Sequence, residues 1–266
     1  MIFLADSFGL YISFKKTFTQ VFNCEELYGI ESLYDVAGHS IQNVAEFKYL
    51  GHLFNREDSN AFVIARVSSA VAQYQRFRFI FHDRTIQNRS KIRFLEAYIR
   101  SRLTYGVAAV VPTEAQIGQL CSCWYECLRK MTKGGFARKP VDGGDDLSSS
   151  FVFSNKDLER KYSTPPLRDF IHVQFLRYIA HIVRRPNDHP TKTALFIEAT
   201  KKNVKSVWTK VQFLLGLDRD DIINKMVKRE EFERVLAERF TFLKARATGR
   251  PAQGKRSTKK SSSKST

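Results

Sequence analysis

FKYLGHLF, Phe47 to Phe54, with GLYISFKKT ahead of it at Gly9–Thr17, decides how this chain is read. Phe47, Tyr49 and Leu53 alternate with Lys48 and His52, the period of an extended chain with one apolar face. Phe and Tyr at those positions favour a strand. Gly51 interrupts the run, and a glycine inside a strand marks a bulge or a close backbone approach. The surroundings agree. Ser32–Val36 and Ser40–Val44 flank a turn at Ala37-Gly38-His39, where glycine allows positive φ. Residues 1–57 therefore read as β-rich.

Beyond Asn60 the period changes. Val63, Val67, Ala70, Val71, Tyr74, Phe77 and Phe81 recur at helical spacing until His82-Asp83-Arg84 breaks the pattern. Thr85 or Asn88 caps a second helix with Ile92, Leu95, Ile99 and Leu103 on one face and Gly106 near its end. Its other face is expected to carry Arg89, Lys91, Arg93, Arg100 and Arg102. A third helix is expected from Thr113 to Met131. Residues 133–166 hold KGG, DGGDD, SSS and Pro165-Pro166, and read as a loop with little structure of its own. Helical pattern returns over 167–243, and 244–266 is a basic tail too poor in apolar residues to order itself. The fold class is α+β, mostly α: a β-rich segment 1–57, helices over 58–132, a linker 133–166, a helical region 167–243 and the tail 244–266.

The charge is one-sided. In 266 residues, 44 Lys and Arg face 27 Asp and Glu, a net charge of +17 with a pI near 9.8. A surplus of that size points to a polyanionic partner, above all nucleic acid. At 43% apolar residues the chain can still bury a core. The first residues lack the basic start of a signal peptide, and the longest uncharged apolar runs, such as Val107–Val111, are too short to span a bilayer. The expectation is an intracellular protein, in cytoplasm or nucleus, with no membrane partner and with reduced thiols.

FKYLGHLF resembles the primer-grip hairpin of reverse transcriptases from non-LTR (LINE-type) retrotransposons, and GLYISFKKT resembles the palm segment before it. Arg66-Val-Ser-Ser-Ala70, and then KIRFLEAYIRSRLTYG at Lys91–Gly106, are similar to the two helices of that family's thumb. The stretches Pro166–Phe196 and Asn203–Ile222 are similar to its post-thumb helices. The resemblance implies a late-palm remnant, a thumb and a helical C-terminal region of an RNA-directed DNA polymerase. It implies that Lys48, Tyr49 and Gly51 position a primer strand through its backbone, and that Arg66 and the basic helix Arg89, Lys91, Arg93, Arg100 and Arg102 follow a duplex. An ordinary half-buried hairpin explains Phe47, Tyr49 and Leu53 equally well, and the two readings are compatible. Lys16 matches a family lysine near the incoming triphosphate, a vestigial leaving-group cation; an exposed strand lysine beside Lys15 is the simpler reading.

The departures bear on activity. The intact family holds magnesium on an aromatic-x-Asp-Asp strand that precedes both segments, and MIFLADS looks like the strand after that pair. The pair is expected upstream of Met1, so no cofactor is expected for this chain. Two substitutes fail. Gly144-Asp145-Asp146 sits in a polar Gly/Ser loop, and Asp220-Asp221 sits at a helix start, where carboxylates suit the dipole. Cys121, Cys123 and Cys127 lack a fourth ligand at zinc spacing and read as buried thiols. The expectation is a fragment that binds RNA or RNA–DNA duplex weakly and without sequence preference. The alternative is a non-enzymatic basic helical protein that acts through protein contacts. Primer extension on an RNA template with magnesium is expected to give no product; metal-dependent extension lost in Asp145→Ala would overturn that.

Overall fold

The computed structural model describes residues 13–22, 24–36, 38–132, 135–137, 151–196 and 207–243. It is mostly helical with small antiparallel sheets, an α+β chain. Two compact units divide it: residues 1–106 with 113–131, and residues 107–112 with 132–266. The β-rich segment and the helices that follow it lie in the first unit. No helix among the described residues is long and apolar enough to cross a membrane.

The first unit begins with two hairpins. β1 (Ser32–Val36) pairs with β2 (His39–Gln42) across Gly38 at φ 74°. β3 (Glu46–Tyr49) pairs with β4 (His52–Asn55), Lys48 opposite Leu53 and Tyr49 opposite His52. The run Phe47–Phe54 is a hairpin, not one continuous strand. Leu50 and Gly51 form its two-residue turn at φ 47° and 79°. Two positive φ values match the right-handed twist of the strands, the geometry of a type I′ turn. Gly51 is there for the turn and not for a bulge.

α1 (Ala61–Arg76) follows, burying Phe62, Val63, Ala70 and Tyr74 against β4 and the helices below. α2 (Arg78–His82) buries Phe81, which stacks on Tyr74 at 4.7 Å. Thr85 does not cap the next helix: its N–H and hydroxyl both donate to the Asp83 carboxylate, at 2.8 and 2.7 Å. α3 (Asn88–Leu95) starts instead after Gln87, without a side-chain cap. It runs through a π turn (Glu96–Arg100) into α4 (Ser101–Thr104), burying Ile92, Leu95, Ile99 and Leu103 as expected.

α5 (Glu114–Lys130) opens on a capping box. The Gln116 N–H donates to the Thr113 hydroxyl, and Gln116 Oε1 accepts from the Thr113 N–H at 2.9 Å. The same Gln116 amide donates to the Ser59 carbonyl at 2.9 Å, tying the start of α5 to the start of α1. Trp124 and Leu128 on α5 are fully buried; such a leucine contributes about 1.5–3 kcal/mol.

In the second unit the expected structureless linker contains α6 (Asn155–Tyr162), capped by a second reciprocal box between Ser154 and Asp157. Ser-x-x-Asp is weak against the Gly/Ser background, and the capping box carries it. The Tyr162 hydroxyl shares a 2.7 Å hydrogen bond with buried Thr132. α7 (Leu167–Val183) is the central helix. Phe175, Leu176 and Ile179 pack with Trp208 and Leu214 of α9 (Val207–Leu215), Ile222 and Met226 of α10 (Arg219–Val227), and Phe232 and Leu236 of α11 (Arg229–Arg239). α8 (Pro190–Phe196) lies between α7 and α9 in sequence. Polar ties fix the set: Arg177 grips Glu233 in a fork at 2.9 and 2.6 Å, and Arg184 donates to the Met226 carbonyl at 2.8 Å. The tail 244–266 lies outside the described residues.

Leu50 occupies a left-handed position that costs a branched residue about 1 kcal/mol, and its side chain is 75% exposed. Leu50→Asn is expected to raise the melting temperature, and Gly51→Ala to lower it. Thermal melts of the two variants check the pair of opposite signs.

Candidate nucleic-acid interface

Both carbonyls of the Leu50–Gly51 turn are engaged by side chains from elsewhere in the unit. The Arg66 guanidinium, one helix away, donates through Nη2 to the Gly51 carbonyl. The Tyr105 hydroxyl, just past α4, donates to the Leu50 carbonyl at 2.7 Å. The Arg66 guanidinium lies over the Tyr105 ring, 5.2 Å from its centroid. Gly106 follows at φ 73°, and a side chain there would press into His52: a Cβ would lie 2.8 Å from His52 Nδ1. Hairpin, α1 and the end of α4 therefore meet at one turn.

A groove of about 630 Å³ opens beside this junction. Lys48 and Leu53 of the hairpin, Arg66 and Ser69 of α1, and Tyr98 and Arg102 of the π turn and α4 line it with the turn itself. Arg102 donates to the Ser69 hydroxyl at 3.2 Å and is otherwise exposed. No carboxylate is among the lining residues. Burial lowers the Arg66 pKa, nearby Arg102 lowers it further, and Tyr105 opposes both. The groove is thus a cationic trough with an apolar floor. It can hold a phosphate backbone by charge, and it has little that could read a base edge.

The residues singled out in the sequence fall into three groups. Lys48, Gly51, Arg66 and Arg102 come together in the groove. Arg66, however, spends a donor on the Gly51 carbonyl and is half-buried, so it shapes the trough more than it reaches out of it. Tyr49 is 58% exposed on the hairpin but does not line the groove. Lys16 is exposed on a 3₁₀ turn at Phe14–Lys16, not on a strand, and is also not part of the groove; Gly9–Ile12 lie outside the described residues.

The basic helix needs a correction. Its five cations do not share a face. Helical residues advance by about 100°, which puts positions 89, 93 and 100 on one flank of the buried stripe and 91 and 102 on the other. Arg89 and Arg93 are exposed away from the groove. Arg100 is paired with Glu96 at 2.7 Å. Lys91 is buried, 7% exposed, beside the apolar stripe. Only Arg102 of the five reaches the groove.

Cys121, Cys123 and Cys127 are buried thiols on α5, and Cys123 and Cys127 are one turn apart and hydrogen-bonded. That bond lowers the Cys123 pKa, while the same bond and then burial push the Cys127 thiol up. Among the described residues no three His, Cys, Asp or Glu groups gather as metal ligands. Gly144-Asp145-Asp146 lies outside them. Asp220 and Asp221 sit in the first turn of α10, where the Asp218 carboxylate caps the Asp220 N–H at 3.1 Å, the helix-start role read from the sequence. Tyr105, Gly106 and His52 were not foreseen as the joint. The only trace in the sequence is a Tyr-Gly pair at a helix end; the hairpin register, with Tyr49 opposite His52, is what turns the histidine inward.

Set against models of protein families, against curated proteins and against solved structures, the chain matches none of them.

His52 is 9% exposed, stacked on Phe62 with ring centroids 5.6 Å apart, and its Nδ1 has no hydrogen-bond partner. Burial first, and then the Arg66 charge, lower its pKa below 6.5. As pH falls through 6.5 the unfolded chain takes up this proton before the folded one does. The joint's stability is therefore full above 6.5 and declines below it, until the folded imidazole protonates. Urea midpoints measured across that range are expected to fall more steeply for the native chain than for His52→Gln. Parallel curves would show that His52 is not buried as a neutral ring.

Proposed function

We propose that this chain is a nucleic-acid-binding piece of a reverse transcriptase of the non-LTR retrotransposon kind. It holds the backbone of RNA or of an RNA–DNA duplex in the groove beside the Leu50–Gly51 turn, weakly and without regard to sequence. One observation carries the reading. The three segments in which the sequence resembles a primer grip and a thumb are Phe47–Phe54, Arg66–Ala70 and Lys91–Gly106, and the first two and the C-terminal half of the third converge on one cationic groove. Such convergence is not required of three separate chance matches. The charge of +17 supports it, since a polyanion gains from the whole field and not only from the groove.

Lys48 and Arg102 are the working cations. Both are exposed, and neither is held by a carboxylate in the groove. Each can neutralise one phosphate, with release of a condensed counterion. Arg66 fixes the turn, and Tyr105 gives it a ring to lie on. The groove does not fit the magnesium of the intact family, because lysine and arginine line it and no carboxylate does. No phosphoryl-transfer step runs through it. A protein of this kind works in the cytoplasm or the nucleus.

The test is a salt titration of duplex binding by fluorescence anisotropy. In the Lys48→Ala/Arg102→Ala variant the slope of log K against log salt is expected to flatten by about 0.9 for each lost contact. Deleting Lys244–Thr266 flattens the slope separately. Both cations are on the surface, so the fold survives their loss. An unchanged slope in the double variant, with all binding lost on tail deletion, would sink the groove reading. It would favour a basic helical body that works through protein contacts.

A further inference from the structure

The first unit carries a second cavity, of about 540 Å³, outside the groove. Tyr74 and Gln75 at the end of α1, Arg78, Phe79 and His82 of α2, and Lys130 at the end of α5 line it. Pockets of this size hold small organic ligands. Its chemistry is cations and rings. Lys130 lies 5.6 Å from the centre of the Tyr74 ring and is bridged to Glu126 at 2.6 Å. Arg78 is exposed and has no ion pair among the described residues. Phe79 is 71% exposed, although its neighbour Phe81 is fully buried. An exposed aromatic ring on a short helix offers a flat apolar face in a cavity that exposed Arg78 and the Glu126-paired Lys130 also line.

We propose that this cavity takes one unpaired nucleotide of a single-stranded nucleic acid, its base stacked on Phe79 and its phosphates met by Arg78 and Lys130. Every base has a π face, so stacking of this kind tolerates any sequence. A base inside a duplex is already stacked on both sides and cannot reach the ring, so the cavity selects the unpaired strand. The Gln75 amide can donate to or accept from a base edge. An acidic peptide would satisfy the cations but leave the ring without a flat partner. The cavity is also joined to the groove through the core. Tyr98, which lines the groove, stacks on Phe94 at 4.3 Å; Phe94 meets Phe81 at 5.8 Å; Phe81 stacks on Tyr74, which lines the cavity. The proposal does not depend on the groove, and its test separates the two.

The experiment measures binding of the full chain to a labelled oligouridylate and to a blunt RNA–DNA duplex by fluorescence anisotropy. Phe79→Ala is expected to weaken the single strand about tenfold and to leave the duplex unchanged. Phe79→Tyr, which keeps the ring, is expected to retain affinity. If Phe79→Ala lowers the melting temperature, Phe79→Leu keeps the apolar bulk without the flat face and gives the same reading. Single-strand affinity within twofold of the native chain would overturn the proposal. So would an equal loss for strand and duplex, or a loss seen only with polyglutamate as the probe. If Lys48→Ala/Arg102→Ala leaves duplex binding untouched while Phe79→Ala still weakens the single strand, the groove reading fails and this one stands.

Discussion

A two-residue hairpin turn leaves the carbonyls of its two central residues outside the strand ladder, and a carbonyl packed against protein must find a donor. Here those carbonyls belong to Leu50 and Gly51. Their donors arrive from elsewhere, Tyr105 to one and Arg66 to the other. Much of the first unit's geometry around the groove follows. Arg66 must come from the helix face toward the hairpin, so α1 crosses beside β4. Tyr105 must come at the end of α4, so that helix stops there. The chain then turns at Gly106, where a side chain would strike His52. The local need of two backbone oxygens is met by side chains far away in sequence, and hairpin, α1 and α4 become one body.

That solution has an electrostatic consequence. Arg66 loses solvent and gains one carbonyl and one ring, with no carboxylate beside it in the groove. Desolvation and Arg102 both work against its charge. An anion entering the groove would relieve that strain, because a phosphate near Arg66 and Arg102 restores what burial removed. Burial first, and then the same positive charge, favour the neutral form of His52 behind the turn. A neutral ring can lie against Phe62 and Gly106, whereas a charged one beside Arg66 could not.

Much of this was legible in the sequence, and the failures have physical causes. The stripe Ile92, Leu95, Ile99 and Leu103 gave the second helix, because burial and period coincide there. The helix expected over Thr113–Met131 is α5, and the structure adds the Thr113–Gln116 capping box that fixes its start. Lys91 was misread because charge was taken for exposure: a lysine can bury its long stem along an apolar stripe. Arg89 and Arg102 were put on one face although the helix's own period separates them, and the π turn at Glu96–Arg100 shifts the phase again. α6 was missed because a short amphipathic helix inside a Gly, Ser and Pro background has too few apolar positions to show a period. Gly51 reads in the sequence as a bulge or a close backbone approach because Leu50 hides the turn. A leucine at positive φ is not a turn signal, and only its hydrogen-bonded carbonyl explains why it is held there.

The aromatic content has the same logic as the turn. Phe77, Phe81, Phe94, Tyr98 and Tyr74 form one connected set of rings between α1, α2 and the π turn. Rings pack edge to face and offset with little loss of rotamer freedom, so a small unit gains rigidity from few residues. At one end of this set Tyr98 is exposed in the groove, and at the other Tyr74, itself buried, lines the second cavity. The cations cluster at those same ends, Arg66 and Arg102 at one and Arg78 and Lys130 at the other. A positive charge over a ring face is stabilised where a bare one would not be, so packing and charge select the same positions. The core of the first unit therefore shapes its surface chemistry, and both of its cavities combine rings with cations because they are two ends of one aromatic block.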